Sequence, residues 1–296
     1  MQSSSSYTGQ IVNGYRVGPL LGVGGMGEVY QGFRVDDDNP VAIKFLRREY
    51  ADDITFQQRF VREIRITQAL KHDHIIPIFD HGLFNGNQLY YTMRLVSGMT
   101  LATRMKRRKL SPLGYLEILE QVTDALGYGH TLNVVHRDLK TDNIFMEKQG
   151  DGHLQVFVGD FGLSKREGTD VNLTEAGAAI GTPYYMSPES IMGEKSTSLS
   201  DIYSLTILSY EVLVGRLPFN DPQAHAVAIA HVTRPIPDPK SISADFPAPL
   251  EKWLNKGTAK TPEERFQTMQ EMLSGYEDAL VEMSEEECAQ TYAVDA

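Results

Sequence analysis

The chain has 296 residues, 41% hydrophobic and 23% charged, enough for one large domain or two lobes with ample core. A net charge of −11 excludes a general nucleic-acid binder, because no basic excess neutralises phosphates; a few placed cations can still hold an anionic ligand. The only cysteine, Cys288, excludes an intrachain disulfide and fits a reducing, cytoplasmic setting. Residues 1–7 lack the basic-then-apolar order of a signal peptide, and no run reaches the ~18 apolar residues of a membrane span.

Residues 1–12 read as a flexible lead-in. Tyr15-Arg16-Val17 opens a strand that runs into Leu21-Gly22-Val23-Gly24-Gly25-Met26-Gly27-Glu28-Val29-Tyr30. Gly22, Gly24 and Gly27 have the G-x-G-x-x-G spacing, which lets backbone amides approach phosphates. Alone it also fits a plain glycine-rich hairpin. A dinucleotide fold needs a helix straight after the loop. Glu28-Val29-Tyr30-Gln31 is β-like instead, so the loop is expected to join two antiparallel strands over a nucleotide.

Asp36-Asp37-Asp38-Asn39-Pro40 is a turn, and Val41-Ala42-Ile43-Lys44-Phe45 a strand in which apolar residues flank a lysine. A lone strand lysine is ordinarily a solvated edge. Asp52-Asp53 can cap a helix whose buried stripe is Phe56, Phe60 and Ile64. Glu63 lies beside that stripe and needs a partner, for which Arg62 and Arg65 are at hand. Ile75-Ile76-Pro77-Ile78-Phe79 and Leu89-Tyr90-Tyr91-Thr92-Met93 complete a five-stranded antiparallel sheet.

From Thr100 the pattern is mainly helical. Ser111-Pro112 is a cap with a first-turn proline, followed by the face Ile118, Val122, Ala125, Leu126 and Gly129. That helix leads to Val135-His136-Arg137-Asp138-Leu139-Lys140-Thr141-Asp142-Asn143, and a short strand pair leads to Gly159-Asp160-Phe161-Gly162. Residues 163–187 are mostly polar and aperiodic, a length that in a compact domain usually marks a functional or mobile loop. They run into Gly181-Thr182-Pro183-Tyr184-Tyr185-Met186-Ser187-Pro188-Glu189. The stretch from Asp201 to Val214 is apolar on most sides and too short for a bilayer, so it is a central buried helix with Asp201 at its start. Thr261-Pro262-Glu263-Glu264 reads as a capping box, with Arg265 next. Met269, Met272, Leu273, Tyr276, Leu280 and Met283 form the last core face, and Glu285-Glu286-Glu287 begins a solvated acidic tail.

In order and spacing these elements resemble the Hanks-type (eukaryotic-like) serine/threonine protein kinases, most closely the bacterial receptor-like branch, over about residues 13–283. The resemblance implies an α+β bilobal fold. A small antiparallel β lobe with one helix spans 13–95, a larger mainly helical lobe 96–283, and the acidic tail 284–296. It implies ATP and Mg²⁺, with transfer of the γ-phosphate to protein serine or threonine. Asp138 is then the catalytic base, Lys140 a contact to the transferring phosphate, and Lys44, paired with Glu63, the holder of the α- and β-phosphates. Asn143 and Asp160 are the metal ligands, as hard oxygens suit Mg²⁺. The run Leu21, Gly22, Val23, Gly24, Gly25, Met26, Gly27, Glu28 and Val29 covers the nucleotide. Val29 and Ala42 lie above adenine, Phe145 below and Met93 behind, with Arg94, Leu95 and Val96 as the hinge. Arg94 stands where many relatives carry Glu, and Ser187 where the common motif has Ala.

By the same resemblance Asp201 bonds the catalytic-loop backbone, Arg265 pairs with Glu189, and Lys140 with Thr182 favours Ser/Thr specificity. Arg137 would bind a phosphorylated Thr174, eight positions before Thr182 (182 − 174 = 8), with Thr169 as the alternative. A phosphate adds roughly −1.5 to −2 of charge and can order a loop against an arginine. Ala176 replaces the second threonine of relatives, which points to single-site control. The implied partners are protein substrates and a second copy meeting through the small lobe. No nucleic acid or membrane contact is expected of this segment, which could be the cytosolic part of a longer tethered protein. A pseudokinase scaffold is the other reading; it predicts loss of a catalytic residue, yet Lys44, Asp138, Asn143 and Asp160 are all present. A small-molecule phosphotransferase would lack the docking segment at 181–189.

Overall fold

The computed structural model describes residues 7–161 and 183–294. The chain forms two compact units, the first running to Lys71 and from Ile75 to Ser97, the second comprising His72–His74 and everything from Gly98 on.

The first unit is built on strands β1 (Ile11–Val12), β2 (Tyr15–Val23), β3 (Gly27–Arg34) and β4 (Pro40–Leu46), helix α1 (Ile54–Ala69), and strands β5 (Ile78–Phe84) and β6 (Gln88–Arg94). The sheet is antiparallel in the order β1-β2-β3-β4-β6-β5. It has one strand more than expected. Asn13 (φ 44°) and Gly14 (φ 85°) make the tight turn that folds Val12 back onto Tyr15. Asn-Gly suits a two-residue hairpin because both positions need left-handed backbone. β5 starts later than expected, beyond Pro77, which has no N–H for a ladder.

The lead-in is also corrected. Tyr7 is 2% exposed, and its ring stacks on Phe45 at 4.1 Å. Arg48 Nε donates to the Tyr7 hydroxyl at 3.1 Å. Alternation along β4 sends Val41, Ile43 and Phe45 to one face, where they join Tyr7, Val12, Tyr30 and Tyr90. The opposite face packs Leu46 and Tyr91 against Phe60 and Ile64 of α1. Asp53 caps α1, its carboxylate accepting from the Thr55 and Phe56 amides. The middle of this sheet is therefore buried on both faces.

The second unit contains strands β7 (Met99–Thr100), β8 (Ile144–Lys148) and β9 (Leu154–Val158). Its helices are α2 (Leu101–Arg107), α3 (Pro112–Thr131), α4 (Pro188–Ile191), α5 (Ser198–Val214), α6 (Ala224–Thr233), α7 (Ala248–Gly257), α8 (Met269–Val281) and α9 (Glu285–Ala289). α5 is the centre: only Ser198, Leu199 and Glu211 escape burial. It starts three residues before Asp201, because Thr197 and Ser200 close a capping box. α3 buries Ile118, Val122, Ala125, Leu126 and Gly129, the stripe expected of it. Among the described residues no helix is long and apolar enough to cross a membrane.

Two further expectations fail here. Pro262–Glu264 is a 3₁₀ turn to which the Thr261 side chain gives no cap; Thr268 caps α8 instead. The acidic tail is not simply solvated. Ser284 and Glu287 form a capping box for α9, and Tyr292 is 3% exposed, edge-on to Phe246 at 5.6 Å.

Candidate active site

In the first unit, β2 and β3 are joined by a turn that the Gly24 amide closes onto the Gly27 carbonyl at 2.8 Å. Leu21, Gly22, Val23, Gly24 and Gly25 are exposed there; Met26, Glu28 and Val29 are half-buried. Gly27 is the most tightly packed glycine of the turn, since a Cβ would meet the Phe45 carbonyl at 3.0 Å and the Lys44 side chain at 3.1 Å. Lys44 is buried on β4, with Ala42 two residues before it. Its Nζ lies 2.9 Å from Glu63 Oε1, so Glu63 of α1 points inward rather than to Arg62 or Arg65. Tyr91 also donates to that oxygen, at 2.5 Å. The pair sits almost out of water, and such a pair stands only with added hydrogen bonds. Met93 and Arg94 end β6, and Val96 follows near the unit's boundary.

In the second unit the loop after α3 is pinned from below. Asp201 of α5 accepts from the His136 amide at 2.8 Å, the Arg137 amide at 3.0 Å and His130 Nε2 at 2.8 Å. The carboxylate therefore holds the one stretch where Arg137 adopts φ 68°, a conformation that strains a side-chain-bearing residue. His136 is buried; its Nδ1 accepts from the Asp138 amide at 3.3 Å, so its Nε2–H donates to the Gly159 carbonyl at 2.9 Å. One neutral imidazole thus joins the Asp138 loop to the segment entering Asp160, which itself has φ 57°.

At the open end of the loop, Lys140 Nζ lies 2.7 Å from Asp138 Oδ2. Asn143 sends its amide nitrogen to the Asp138 carbonyl at 2.9 Å and to Oδ2 at 3.2 Å. That orients Asp138. Phe145 follows on β8, opposite Phe157 of β9. Beside the loop is a cavity of about 730 Å³, bounded by α2, Lys109, residues 137–142, Tyr184–Met186 and the end of α5 with Gly215. Its wall carries Glu211, which accepts from the Tyr185 hydroxyl at 2.6 Å. Burial pushes the Glu211 carboxyl up and nearby Asp142 adds to that, against the bond from Tyr185.

Beneath lies a different pair. Arg265 is fully buried and meets Glu189 through two bonds, at 2.9 and 2.8 Å. Burial alone would raise the Glu189 carboxyl, but Arg265 and the Ser200 hydroxyl hold it below its ordinary value. Thr174 and Thr182, like Thr169, lie outside the described residues.

The protein kinase domain family matches residues 15–276. The chain belongs to that family. It is 33% identical to the serine/threonine-protein kinase PknH of Mycobacterium tuberculosis over 97% of this chain and 45% of that protein. It is 35% identical to the serine/threonine-protein kinase PrkC of Bacillus subtilis over 87% of this chain and 39% of that protein. The chain thus spans about half the length of the curated relatives it matches. Among solved structures it resembles the PknI kinase domain of M. tuberculosis, with TM-score 0.73 and 26% identity over 93% of this chain and 98% of that one.

Several residues at the site went unseen in sequence. Tyr91 is set opposite Lys44 only by strand register. His130 reaches Asp201 from the preceding helix with no spacing to announce it. Glu211 could have been found, as the one charged residue in the second half of α5.

Proposed function

We propose that this chain is a serine/threonine protein kinase that transfers the γ-phosphate of ATP to hydroxyls of protein substrates. The observation that carries the reading is Asp138 held by Asn143 and paired with Lys140 at 2.7 Å, on a loop pinned by Asp201. Asp138 accepts the hydroxyl proton as the oxygen bonds to the γ-phosphorus and the bond to the β–γ bridging oxygen breaks, releasing ADP. Lys140 meets the negative charge that gathers on the transferring group. Lys44, fixed by Glu63, holds the α- and β-phosphates. Amides of the turn between β2 and β3 cover them, and exposed Leu21 and Val23 offer apolar surface to the base. Ala42, Val29 and Phe145 take the adenine faces, Met93 its back, and hinge backbone from Arg94 to Val96 its edge. A side-chain change at Arg94 leaves such backbone recognition intact.

The donor set fits Mg²⁺. Mg²⁺ is held by one or two protein oxygens plus phosphates and needs no dedicated carboxylate cage. Asn143 and Asp160 would supply those two oxygens. When bound, the ion neutralises charge on the phosphates.

Thr182 contributes to serine/threonine choice, and phosphorylated Thr174 pairs with Arg137 to order the segment that precedes it. The first units of two copies form the homodimer contact. The kinase acts in the cytoplasm. The deciding experiment is autophosphorylation with Mg-ATP and phosphosite mapping, beside Asp138→Asn. Phosphate at Thr174 in the wild type and none in the variant is the expected result. ATP binding without any transfer, to itself or to a generic acceptor, would instead favour a scaffold.

A further inference from the structure

The cavity beside the catalytic loop has two walls from distant parts of the second unit. One is α2 with Lys109; the other is the end of α5 with Gly215. The last described residues link them. The Val294 amide donates to the Val214 carbonyl at 3.0 Å, and the Val294 carbonyl accepts from Lys109 Nζ at 2.5 Å. A single residue of the tail, Val294, is therefore bonded to both walls.

The linkage has built-in support. Gly215 has φ 92°, and a Cβ there would run into the Val294 backbone, so that close approach requires glycine. Tyr292 is buried beside Phe246, and its hydroxyl donates to the Glu287 carbonyl at 3.0 Å. The capping box at Ser284 fixes where the segment leaves α8. A solvated tail would need neither a buried aromatic nor a cradle without side chain. Lys109 has a strongly hydrated ammonium, and giving it to a backbone carbonyl instead of water makes sense where geometry is being held.

The structure assigns residues 291–294 as a strap that positions the acceptor site, acting through Lys109 and Gly215. This rests on the reading of the cavity as the place where the protein substrate lies. Tied walls present a preformed surface, so acceptor binding costs less ordering. The strap touches neither Lys44 nor Asp138, so ATP affinity and the chemical step are left alone.

The test compares the 296-residue chain with one ending at Gln290, with Gly215→Ala, and with Lys109→Met and Lys109→Arg. Myelin basic protein serves as acceptor, and steady-state kinetics are paired with hydrogen exchange. Loss of the strap is expected to raise KM for the acceptor about tenfold, the worth of one good charge-assisted bond. KM for ATP and kcat stay within about twofold. Lys109→Arg keeps the bond and restores KM. In the shortened chain Gly215→Ala keeps only the cost of its left-handed backbone and raises acceptor KM no further, since its clash partner is gone. Exchange rises in residues 101–109 and 211–217 and not elsewhere in the unit. Unchanged exchange at both walls, or a fall in kcat with unchanged acceptor KM, overturns the strap. If even the full chain transfers no phosphate, the kinase reading fails, and the exchange comparison still decides whether the strap ties the walls.

Discussion

Two ion pairs in the second unit have nearly equal lengths and opposite settings. Arg265–Glu189, at 2.8 Å, has side chains 0% and 7% exposed; Lys140–Asp138, at 2.7 Å, has 35% and 38%. The buried guanidinium also reaches the carbonyls of Ala259, Leu199 and Lys260, so its donors are used up on fixed acceptors. It serves as a permanent joint between the segment at Glu189 and the unit's interior. The open pair has room around it. Asp138 is steadied by Asn143, yet its carboxylate is reachable, and in the function we propose Lys140 trades a carboxylate for a phosphate without first being dug out. Distance alone says nothing about which pair does chemistry; surroundings do.

Substitutions should separate the two roles. The largest effect is expected from Asp138→Asn, with phosphoryl transfer down by about 10²–10⁴-fold, nucleotide affinity kept and melting temperature hardly moved. Radiolabel transfer and calorimetry on one preparation check this. A large thermal shift would mean that Asp138 is a structural residue too. Arg265→Ala should do the reverse, destabilising by roughly 3–5 kcal/mol because Glu189 is left buried and alone. Urea unfolding reads it, and a loss under about 1 kcal/mol would put the pair in the same class as surface pairs.

Acid should be felt in the buried region of the second unit, at a histidine that folding keeps from its proton. His231 is fully buried, its Nδ1 2.9 Å from the Tyr203 hydroxyl. Burial, with Lys260 nearby, brings it down to about 4 from 6.5. The unfolded chain therefore takes up a proton that the folded one refuses, and stability is lost as pH falls from about 6.5 towards 4. The expected size is roughly 3 kcal/mol. Glu211, whose carboxyl is held up by burial, works in the opposite sense, so the quantity to measure is the difference in unfolding free energy between wild type and His231→Gln across that range. Parallel curves would remove His231 from the account. The smallest effect is expected at Arg16–Asp38, also 2.7 Å but 50% and 75% exposed. Arg16→Ala should cost less than about 1 kcal/mol, which thermal unfolding at two salt concentrations can confirm.

Much of the site was legible because its chemistry is written in contiguous runs. Lys44 lies in one strand, and Asp138, Lys140 and Asn143 lie within six residues of one another. Partners that arrive by tertiary folding could be named through family resemblance only; neither Glu63 for Lys44 nor Arg265 for Glu189 follows from periodicity. The ends of the chain were misread for a different reason. Serine at the start and glutamate near the finish suggested solvent, and composition outweighed the single aromatics Tyr7 and Tyr292 that anchor each end. Asn13-Gly14 was a hairpin signal in plain view, passed over because the residues around it looked like a leader. At 261–264 the capping pattern was genuine in letters but not in geometry, since the turn there stays 3₁₀ and the helix begins later.

The placement of Tyr7 bears on how this protein can be cut. An antiparallel sheet in a small lobe can leave one face wet, and its residues are then chosen for water. Here that face carries Tyr30, Phe45 and Tyr90, with Phe84 at its margin, and the residues ahead of β2 are its lid. A fragment begun at residue 13, where the resemblance to the family starts, would be born with a greasy aromatic plate open to solvent. Such a plate invites self-association. Fragments made for solution work should begin before Tyr7.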